Sequence, residues 1–186
     1  MPLELPVPIA TERLLLRPVQ QADLPDLLVV NADDEVTRFL PYASWQSLDD
    51  GTAWLGRVEA QHAAGTGLQL VMADKVSGRV LGTCLLFRFD AGSQRAELGY
   101  VLGRASWGQG LMREALQALL ATAFGSMALR RLEAEADPRN LASNRVLQQL
   151  GFAHEGLLRQ RWMGKTGPVD TNIYGLLRGE WRAEPV

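Results

Sequence analysis

The sequence predicts a mixed α/β fold in which about seven strands form a mostly antiparallel central sheet and about four helices pack against it. Two observations support this prediction. Short apolar runs separated by turn residues alternate with longer stretches whose apolar residues recur at helical spacing. The chain of 186 residues is 47% hydrophobic, so we expect residues 1–186 to form a single domain with a substantial core.

The first half of the chain predicts one strand, two helices and three further strands. Pro18 closes the first strand, and Ser47 and Asp50 form a capping pattern for the second helix. Short connections between the three later strands imply antiparallel neighbours. In order, we expect a strand over Thr11–Arg17, a helix capped within Asp23–Asp26, a helix from Ser47 towards Ala64, and strands over Leu68–Asp74, Val80–Phe89 and Arg95–Leu102.

The second half predicts two helices and three strands, of which the last two form a hairpin. Strands 95–102 and 131–136 are expected to be parallel, because a predicted helix connects them. Ligands bind such sheets at the carboxyl ends of the strands, which places residues 103–112 and 137–143 around one crevice. The predicted elements are helices Leu111–Phe124 and Leu141–Leu150 and strands Arg131–Ala136, Phe152–Met163 and Val169–Leu177.

Composition excludes several classes of function. The net charge is −2 with acidic and basic residues interspersed, unlike the basic stripe of a nucleic-acid binder or a polybasic membrane anchor. No apolar run approaches the roughly 20 residues that span a bilayer. Cys84 is the only cysteine, which argues against a disulfide or a thiol nucleophile and favours the cytoplasm. We therefore expect neither nucleic acid nor membrane as a partner.

Gly108 and Gly110 lie where strand 95–102 passes into helix 111–124. Glycines let the backbone approach a ligand closely, and the start of the helix presents unpaired N–H groups and the positive end of its dipole. Residues 108–112 are therefore a candidate pyrophosphate cradle. Many strand-to-helix turns also carry two glycines for steric reasons, and these residues alone leave that alternative open.

Four stretches, taken in their order and spacing, resemble the GNAT superfamily of acetyl-CoA-dependent N-acetyltransferases. The branch that they resemble is typified by bacterial ribosomal-protein N-terminal acetyltransferases. The resemblance implies the GNAT fold, acetyl-CoA as co-substrate and an amine acceptor. The stretches are TERLLLRP (Thr11–Pro18), AELGYVL with WGQGLM (Ala96–Met112), DPRNLASNRVLQQLGF (Asp137–Phe152) and EGLLRQRW with GPVDTNIYGLLRGEW (Glu155–Trp181).

The resemblance implies that backbone groups hold much of the cofactor. Those of Tyr100, Val101 and Leu102 would pair with the pantetheine arm as if it were an extra strand. A backbone N–H near Val101 would polarise the thioester carbonyl. The residues that would hold the pyrophosphate are Trp107, Gly108, Gln109, Gly110, Leu111 and Met112.

One position departs from the usual superfamily pattern. That pattern has Gln or Arg three residues before the first cradle glycine, where this chain has Ala105. The form Trp107-Gly108-x-Gly110 is nevertheless common in the branch named above. Phosphate affinity would then rest on backbone donors, helped by Arg104 or Arg145.

Asn140 and Ser143 stand at the start of the helix predicted over 141–150, where either is an ordinary helix cap. By the resemblance, Asn140 would hydrogen-bond the pantetheine arm and Ser143 would donate a proton to the departing thiolate. Many superfamily members use a tyrosine at the position that is Leu147 here, and leucine has no proton to give. Ser143 is therefore the candidate general acid.

Glu97 is the leading candidate for the general base, and its alternative interpretation is a solvated strand carboxylate. Glu155 is a second candidate, although its position suits a turn equally. Some members of the branch carry a glutamate where this chain has Trp162, so transfer of the ribosomal substrate is in doubt. Trp162, with Trp45 and Trp54, is either part of an acceptor pocket or part of the core.

The chemistry requires little beyond these groups. An α-amino group titrates near 8 and a lysine near 10.4, so a weak base or a water chain suffices for an N-terminal amine. No metal is expected, because His62 and His154 lack partners at ligand spacing. We expect transfer of acetyl to a primary amine, most simply an N-terminal α-amine. The alternatives are a drug or metabolite N-acetyltransferase and a silent acyl-CoA-binding regulatory module, and a homodimer stays open.

Overall fold

The computed structural model describes residues 8–182, which form one eight-stranded sheet with helices packed against it. The strands are β1 (Ile9–Ala10), β2 (Leu14–Pro18), β3 (Gly67–Asp74), β4 (Val80–Asp90), β5 (Arg95–Leu102), β6 (Arg131–Ala136), β7 (Ala153–Gly164) and β8 (Gly167–Leu177). The helices are α1 (Leu24–Asn31), α2 (Asp34–Thr37), α3 (Leu48–Ala63), α4 (Leu111–Phe124) and α5 (Leu141–Gln149). No helix within residues 8–182 is both long and apolar enough to cross a bilayer.

The sheet order is β1-β2-β3-β4-β5-β6-β8-β7. Strands β5 and β6 are parallel, with α4 as the crossover between them, and the other neighbouring pairs are antiparallel. Both the predicted parallel pair and the predicted antiparallel neighbours are confirmed. The structure has one strand more than the predicted seven because the two residues of β1 pair with β2, and two residues are too few to show an alternating pattern.

Two clusters of buried side chains cover the two faces of the sheet. Leu70 and Met72 of β3 belong to the main cluster with α4, whereas Val71 belongs to a second cluster with α1 and α3. Alternation along β3 places these clusters on opposite faces. Trp45 is buried in the second cluster, and its ring centroid lies 5.6 Å from that of Trp54. The core interpretation therefore applies to Trp45.

The predicted caps at the starts of α1 and α3 differ in whether the side chain makes the capping hydrogen bond. Ser47 and Asp50 form the expected capping box of α3. Asp23, in contrast, makes no side-chain cap for α1, because Arg17 donates two hydrogen bonds to its carboxylate at 2.7 and 2.8 Å. The N-cap position expected within 23–26 is confirmed at Asp23, but its carboxylate is used by Arg17 and by the Gln20 amide instead of by an N–H of α1. The four-residue α2 was not predicted from the sequence.

Candidate active site

Strand β5 extends beyond its parallel partner. The β5–β6 pairing runs from Arg95↔Arg131 to Leu98↔Ala134, whereas β4 remains paired with β5 as far as Leu102. Within residues 8–182, no pair joins the remainder of β5 to β6. The two strands therefore separate at their carboxyl ends and leave a gap where an extended ligand could lie.

The register of β4 against β5 decides which backbone groups face this gap. The Gly103 amide donates to the Leu81 carbonyl at 2.8 Å, so the backbone groups of Gly103 face β4. Alternation along an antiparallel ladder then directs Val101 towards β4 and directs Tyr100 and Leu102 towards the gap. Of the three residues predicted to pair with the pantetheine arm, Tyr100 thus presents both backbone groups to the open edge, and Leu102 presents its N–H while its carbonyl accepts from the Trp107 indole.

The turn between β5 and α4 has the backbone of an anion cradle. Gly108 and Gly110 have φ angles of +72° and +75°, in the left-handed region that favours glycine. Gly110 is the N-cap of α4 and provides no side-chain cap, so the first N–H groups of the helix remain available. The indole N–H of Trp107 donates to the Leu102 carbonyl at 2.7 Å and ties the turn to the end of β5.

Arg13, which the sequence analysis did not single out, lies against this turn. Its Nη1 donates to the Gln109 carbonyl at 2.9 Å, and its Nε donates to Glu114 Oε2 at 2.6 Å. Thr11 Oγ1 and the Arg13 amide donate to the other oxygen of Glu114, at 2.5 and 2.8 Å. Arg13 and Glu114 are separated by 101 positions in the sequence, so no local pattern could have shown their contact.

The two arginines that were expected near the phosphates, Arg104 and Arg145, are both exposed, and their contact with phosphate stays a prediction. Arg104 pairs with Asp33 at 2.8 Å, on the side of the turn that faces α1 and α2. Arg145 is exposed on α5. Arg13 contacts the backbone of this turn directly.

Ser143 and Tyr100 form a pair of hydroxyl groups between α5 and β5. Their oxygens are 2.8 Å apart, and Tyr100 Oη is also 3.3 Å from the Ser143 carbonyl. Burial raises the pKa of Tyr100 to about 12, so the phenol keeps its proton at neutral pH. Asn140 Oδ1 accepts from the Ser143 amide at 3.2 Å, which is the cap expected at the start of α5.

Asn144 fixes the start of α5 to β8 and was not found from the sequence. Its Nδ2 donates to the carbonyls of Asp137 and Asn140, at 2.9 and 2.7 Å. Its Oδ1 accepts from the Tyr174 hydroxyl at 2.7 Å and from Asn172 Nδ2 at 2.8 Å. Because the buried amide uses both of its ends, it sets the position of the neighbouring Ser143 relative to the sheet.

Glu97 lies on β5 at the face opposite α4, where 9% of the residue is exposed. Its Oε2 accepts from Arg88 Nη1 at 2.7 Å. Burial raises the pKa of Glu97 above its ordinary value, against the opposite effect of Arg88. A carboxylate whose pKa is raised in this way is a stronger base than a solvated one.

Glu135 provides a second carboxylate on this face, at the point where β6 leaves β5. Its Oε2 accepts from the Trp162 indole at 2.6 Å, and Arg88 Nη1 lies 3.8 Å from Oε1. Trp162, at a position where related proteins were expected to carry a glutamate, is thus in contact with a glutamate of another strand. Sequence reasoning missed Glu135 because 27 positions separate it from Trp162.

Glu155, the second candidate base, has a different environment. Its carboxylate accepts from two nitrogens of Arg131, at 2.9 and 2.5 Å. This pairing holds the pKa of Glu155 below its ordinary value, which makes the carboxylate a weaker base. The contacts are those of an ion pair between β6 and β7.

The acid and base candidates lie on opposite faces of the sheet. Tyr100 packs against the α4 cluster and holds Ser143 on that face, whereas alternation directs Glu97 to the other face. Glu135 lies on the same face as Glu97, since both contact Arg88. The gap between β5 and β6 connects the two faces, so a ligand from each side could meet there.

Loops 31–48 and 160–170, in which acceptor specificity was expected, come together on the side of Glu135. Lys165 Nζ donates to Thr37 Oγ1 at 3.0 Å and connects the β7–β8 turn to α2. A cavity of about 290 Å³ lies between the two loops and is lined by residues 40–44 and 163–165.

The Cys84 thiol takes no part in the candidate site. Cys84 is fully buried in β4, and burial raises the pKa of its thiol to about 12, so it is neither accessible nor ionised. Among residues 8–182, no group of three or more His, Cys, Asp or Glu side chains is placed to hold a metal ion.

The mixed sheet, with one parallel pair that separates at its carboxyl ends, has the architecture of an α/β domain that binds a ligand at this edge. Residues 13–153 match the family described as acetyltransferase (GNAT) domain, and the chain belongs to this family. The protein is therefore an N-acetyltransferase with the GNAT fold, a family whose co-substrate is acetyl-CoA. Both the resemblance and the fold expected from the sequence are confirmed.

The relatives include ribosomal-protein N-acetyltransferases. The chain is 33% identical to the uncharacterized N-acetyltransferase p20 of Bacillus licheniformis over 92% of this chain and 96% of the relative. It is 28% identical to the [ribosomal protein uS5]-alanine N-acetyltransferase of Escherichia coli, over 95% of this chain and 87% of the relative. A GNAT-family acetyltransferase from Bacillus anthracis has the same fold, with a TM-score of 0.83, 22% identity and coverage of 94% of this chain and 100% of that chain.

Proposed function

We propose that this N-acetyltransferase transfers the acetyl group of acetyl-CoA to the α-amine at the N terminus of a protein or peptide. The observation that carries the proposal is the pair of hydroxyl groups, Ser143 and Tyr100, beside the open edge of β5. The similarity to an enzyme named for N-acetylation of a ribosomal-protein alanine supports the choice of acceptor.

The cofactor would lie along the gap between β5 and β6. In this arrangement the backbone groups of Tyr100 and the N–H of Leu102 pair with the amides of the pantetheine arm, whereas the Leu102 carbonyl accepts from Trp107. Asn140 Nδ2 binds the same arm from α5. The pyrophosphate lies in the turn over 107–112, where the first N–H groups of α4 are directed. Because Val101 faces β4, the amide that polarises the thioester carbonyl is assigned to one of its two neighbours.

The transfer step is a direct attack. The neutral amine nitrogen forms a bond to the thioester carbonyl carbon, and the carbon–sulfur bond then breaks. Ser143 Oγ donates its proton to the departing thiolate while it accepts a hydrogen bond from the neutral Tyr100 hydroxyl, and a proton from solvent then restores Ser143. The nitrogen loses its extra proton to a carboxylate, so that the products are an N-acetyl amide and the free thiol of CoA.

Glu97 is the base in this proposal, acting directly or through water. It lies on the proposed acceptor face of the sheet, and burial raises its pKa above the ordinary value, which makes it a stronger base than a solvated carboxylate. An α-amine favours this site over lysine, because about a tenth of an amine with a pKa near 8 is already neutral at pH 7. A buried thiol at Cys84 suits a reducing compartment, and we place the reaction in the cytoplasm.

The test is calorimetric titration with acetyl-CoA followed by thiol release against a panel of acceptors. The panel contains N-terminal peptides, polyamines and aminoglycosides. The proposal expects binding of acetyl-CoA and release that depends on peptides with a free α-amine. Release with polyamines or aminoglycosides alone would instead assign a small-molecule acceptor, and binding without release would indicate a regulatory module.

A further inference from the structure

Arg13 contacts the backbone of the turn over 107–112 through the Gln109 carbonyl. We infer that Arg13 is a positioning residue for acetyl-CoA, which aims the Gly110 N–H at the pyrophosphate by holding the Gln109 carbonyl. The inference rests on the proposed function only in that the turn is taken as the pyrophosphate site. It does not depend on the identity of the acceptor.

The geometry of one peptide group carries the argument. The peptide between Gln109 and Gly110 is planar and trans, so its C=O and its N–H point in opposite directions. Arg13 Nη1 holds the C=O at 2.9 Å, and the Gly110 N–H is therefore directed away from the guanidinium. Arg13 Nη2 lies 3.7 Å from the place that a Cβ of Gly110 would occupy, so the guanidinium extends along the back of the turn.

Arg13 is itself held in one orientation. Glu114, in the first turn of α4, accepts from Arg13 Nε at 2.6 Å, and its side chain is only 12% exposed. A carboxylate at a helix start would repel an incoming pyrophosphate, and the ion pair with Arg13 cancels this charge. Arg13 thus both orients a donor of the cradle and neutralises the nearest acidic group on α4.

If Arg13 has this role, its replacement should lower the affinity of the enzyme only for a substrate that carries the pyrophosphate. S-acetylpantetheine has the thioester and the pantetheine arm of acetyl-CoA but lacks the pyrophosphate. If Arg13 acts through the cradle, its replacement must weaken the use of acetyl-CoA and leave the use of S-acetylpantetheine unchanged. A residue that only stabilises the fold would affect both substrates equally.

The experiment compares Arg13→Ala and Arg13→Lys with the wild-type enzyme on both substrates. We expect Arg13→Ala to raise KM and Kd for acetyl-CoA about tenfold, the range for losing a hydrogen bond made by a charged group. Arg13→Lys keeps the charge but reaches only one of the two partners, so an intermediate rise is expected. The matched control is Arg57→Ala, at an exposed arginine of α3, which should leave both substrates unaffected.

The variants are expected to fold, because the Arg13 backbone amide and Thr11 still donate to Glu114 after the substitution. Thermal unfolding checks this, and Arg13→Lys decides the question if Arg13→Ala does not fold. An unchanged KM for acetyl-CoA in a folded variant, or an equal loss with S-acetylpantetheine, would overturn the inference alone. A wild-type enzyme that does not bind acetyl-CoA would overturn the proposed function together with it.

Discussion

The proposed cofactor half and the proposed acceptor half of the site are built in different ways. The cofactor half would consist of backbone groups of β5 and the turn over 107–112, together with the hydroxyls of Tyr100 on β5 and Ser143 on α5. The acceptor half consists of charged and aromatic side chains such as Glu97, Glu135 and Trp162, brought together from three strands. A cofactor common to a whole family suits a site made of main chain, whereas side chains on separate strands can change with the acceptor.

Ser143→Ala is expected to have the largest effect, because it removes the proton donor to the thiolate. We expect turnover to fall about a hundredfold, with little change in the Kd of acetyl-CoA. Steady-state kinetics and calorimetric titration measure the two quantities. Ser126→Ala, at an exposed serine beyond α4, is the matched control. Unchanged turnover in Ser143→Ala would remove this residue from the acid role.

Gly110→Ala tests the cofactor half through its backbone. At φ +75° an alanine is strained by about 1–2 kcal/mol, so the turn should change shape and the affinity for acetyl-CoA should fall about tenfold. The KM of the acceptor should stay the same. Gly56→Ala, inside α3 with open space around the new methyl group, is the control and should bind normally. An acceptor KM that changed with Gly110→Ala would break the distinction between the two halves.

Glu97→Gln tests the acceptor half. Because burial raises the pKa of Glu97, its basic form is lost as the pH falls through a value above the ordinary one for glutamate. Titration of the α-amine lowers kcat/KM below about pH 8 in every variant, so protonation of Glu97 should appear in the wild type as a second, steeper acidic limb. Glu97→Gln should remove this second limb, with a loss of about fivefold at neutral pH. If the limb persists and Glu135→Gln removes it, the base is Glu135.

Glu155→Gln is expected to have the smallest effect and to spare catalysis. The Arg131 hydrogen bonds lower the folded-state pKa of Glu155, so this pair stabilises the fold above the unfolded pKa and loses its effect as the pH falls through the folded one. At pH 7 the variant should lose about 1 kcal/mol or less, because the pair is partly exposed. Denaturant unfolding at neutral and acidic pH should show the difference vanish in acid. A fall in turnover would contradict the structural role.

The elements around the proposed cofactor site were predicted well because each depends on a local pattern. Strands β5 and β6 and helix α4 begin and end at the predicted residues. The parallel pairing of β5 with β6 followed from the helix predicted to connect them. The two glycines of the turn were visible in the sequence because only glycine adopts their φ angles at little cost.

The side-chain contacts of the site could not be predicted, because they join residues distant in sequence. Tyr100 was expected to act through its backbone, and its hydroxyl contact with Ser143 spans 43 positions. Asp23 shows the same limitation within a short segment. It has the residue type of a helix cap, but an ion pair with Arg17 offers its carboxylate two stronger hydrogen bonds.

The short pairing of β5 with β6 also affects the rigidity of the molecule. Strands β6, β8 and β7 join the rest of the sheet through only four paired positions on β5. A pantetheine arm in the gap would connect β5 to β6 beyond those positions. It would thereby stabilise the arrangement of β6, β8 and β7 relative to the rest of the sheet. Occupancy would then slow amide hydrogen exchange in β6 and β8, and departure of CoA would loosen the surface that holds the acetylated product.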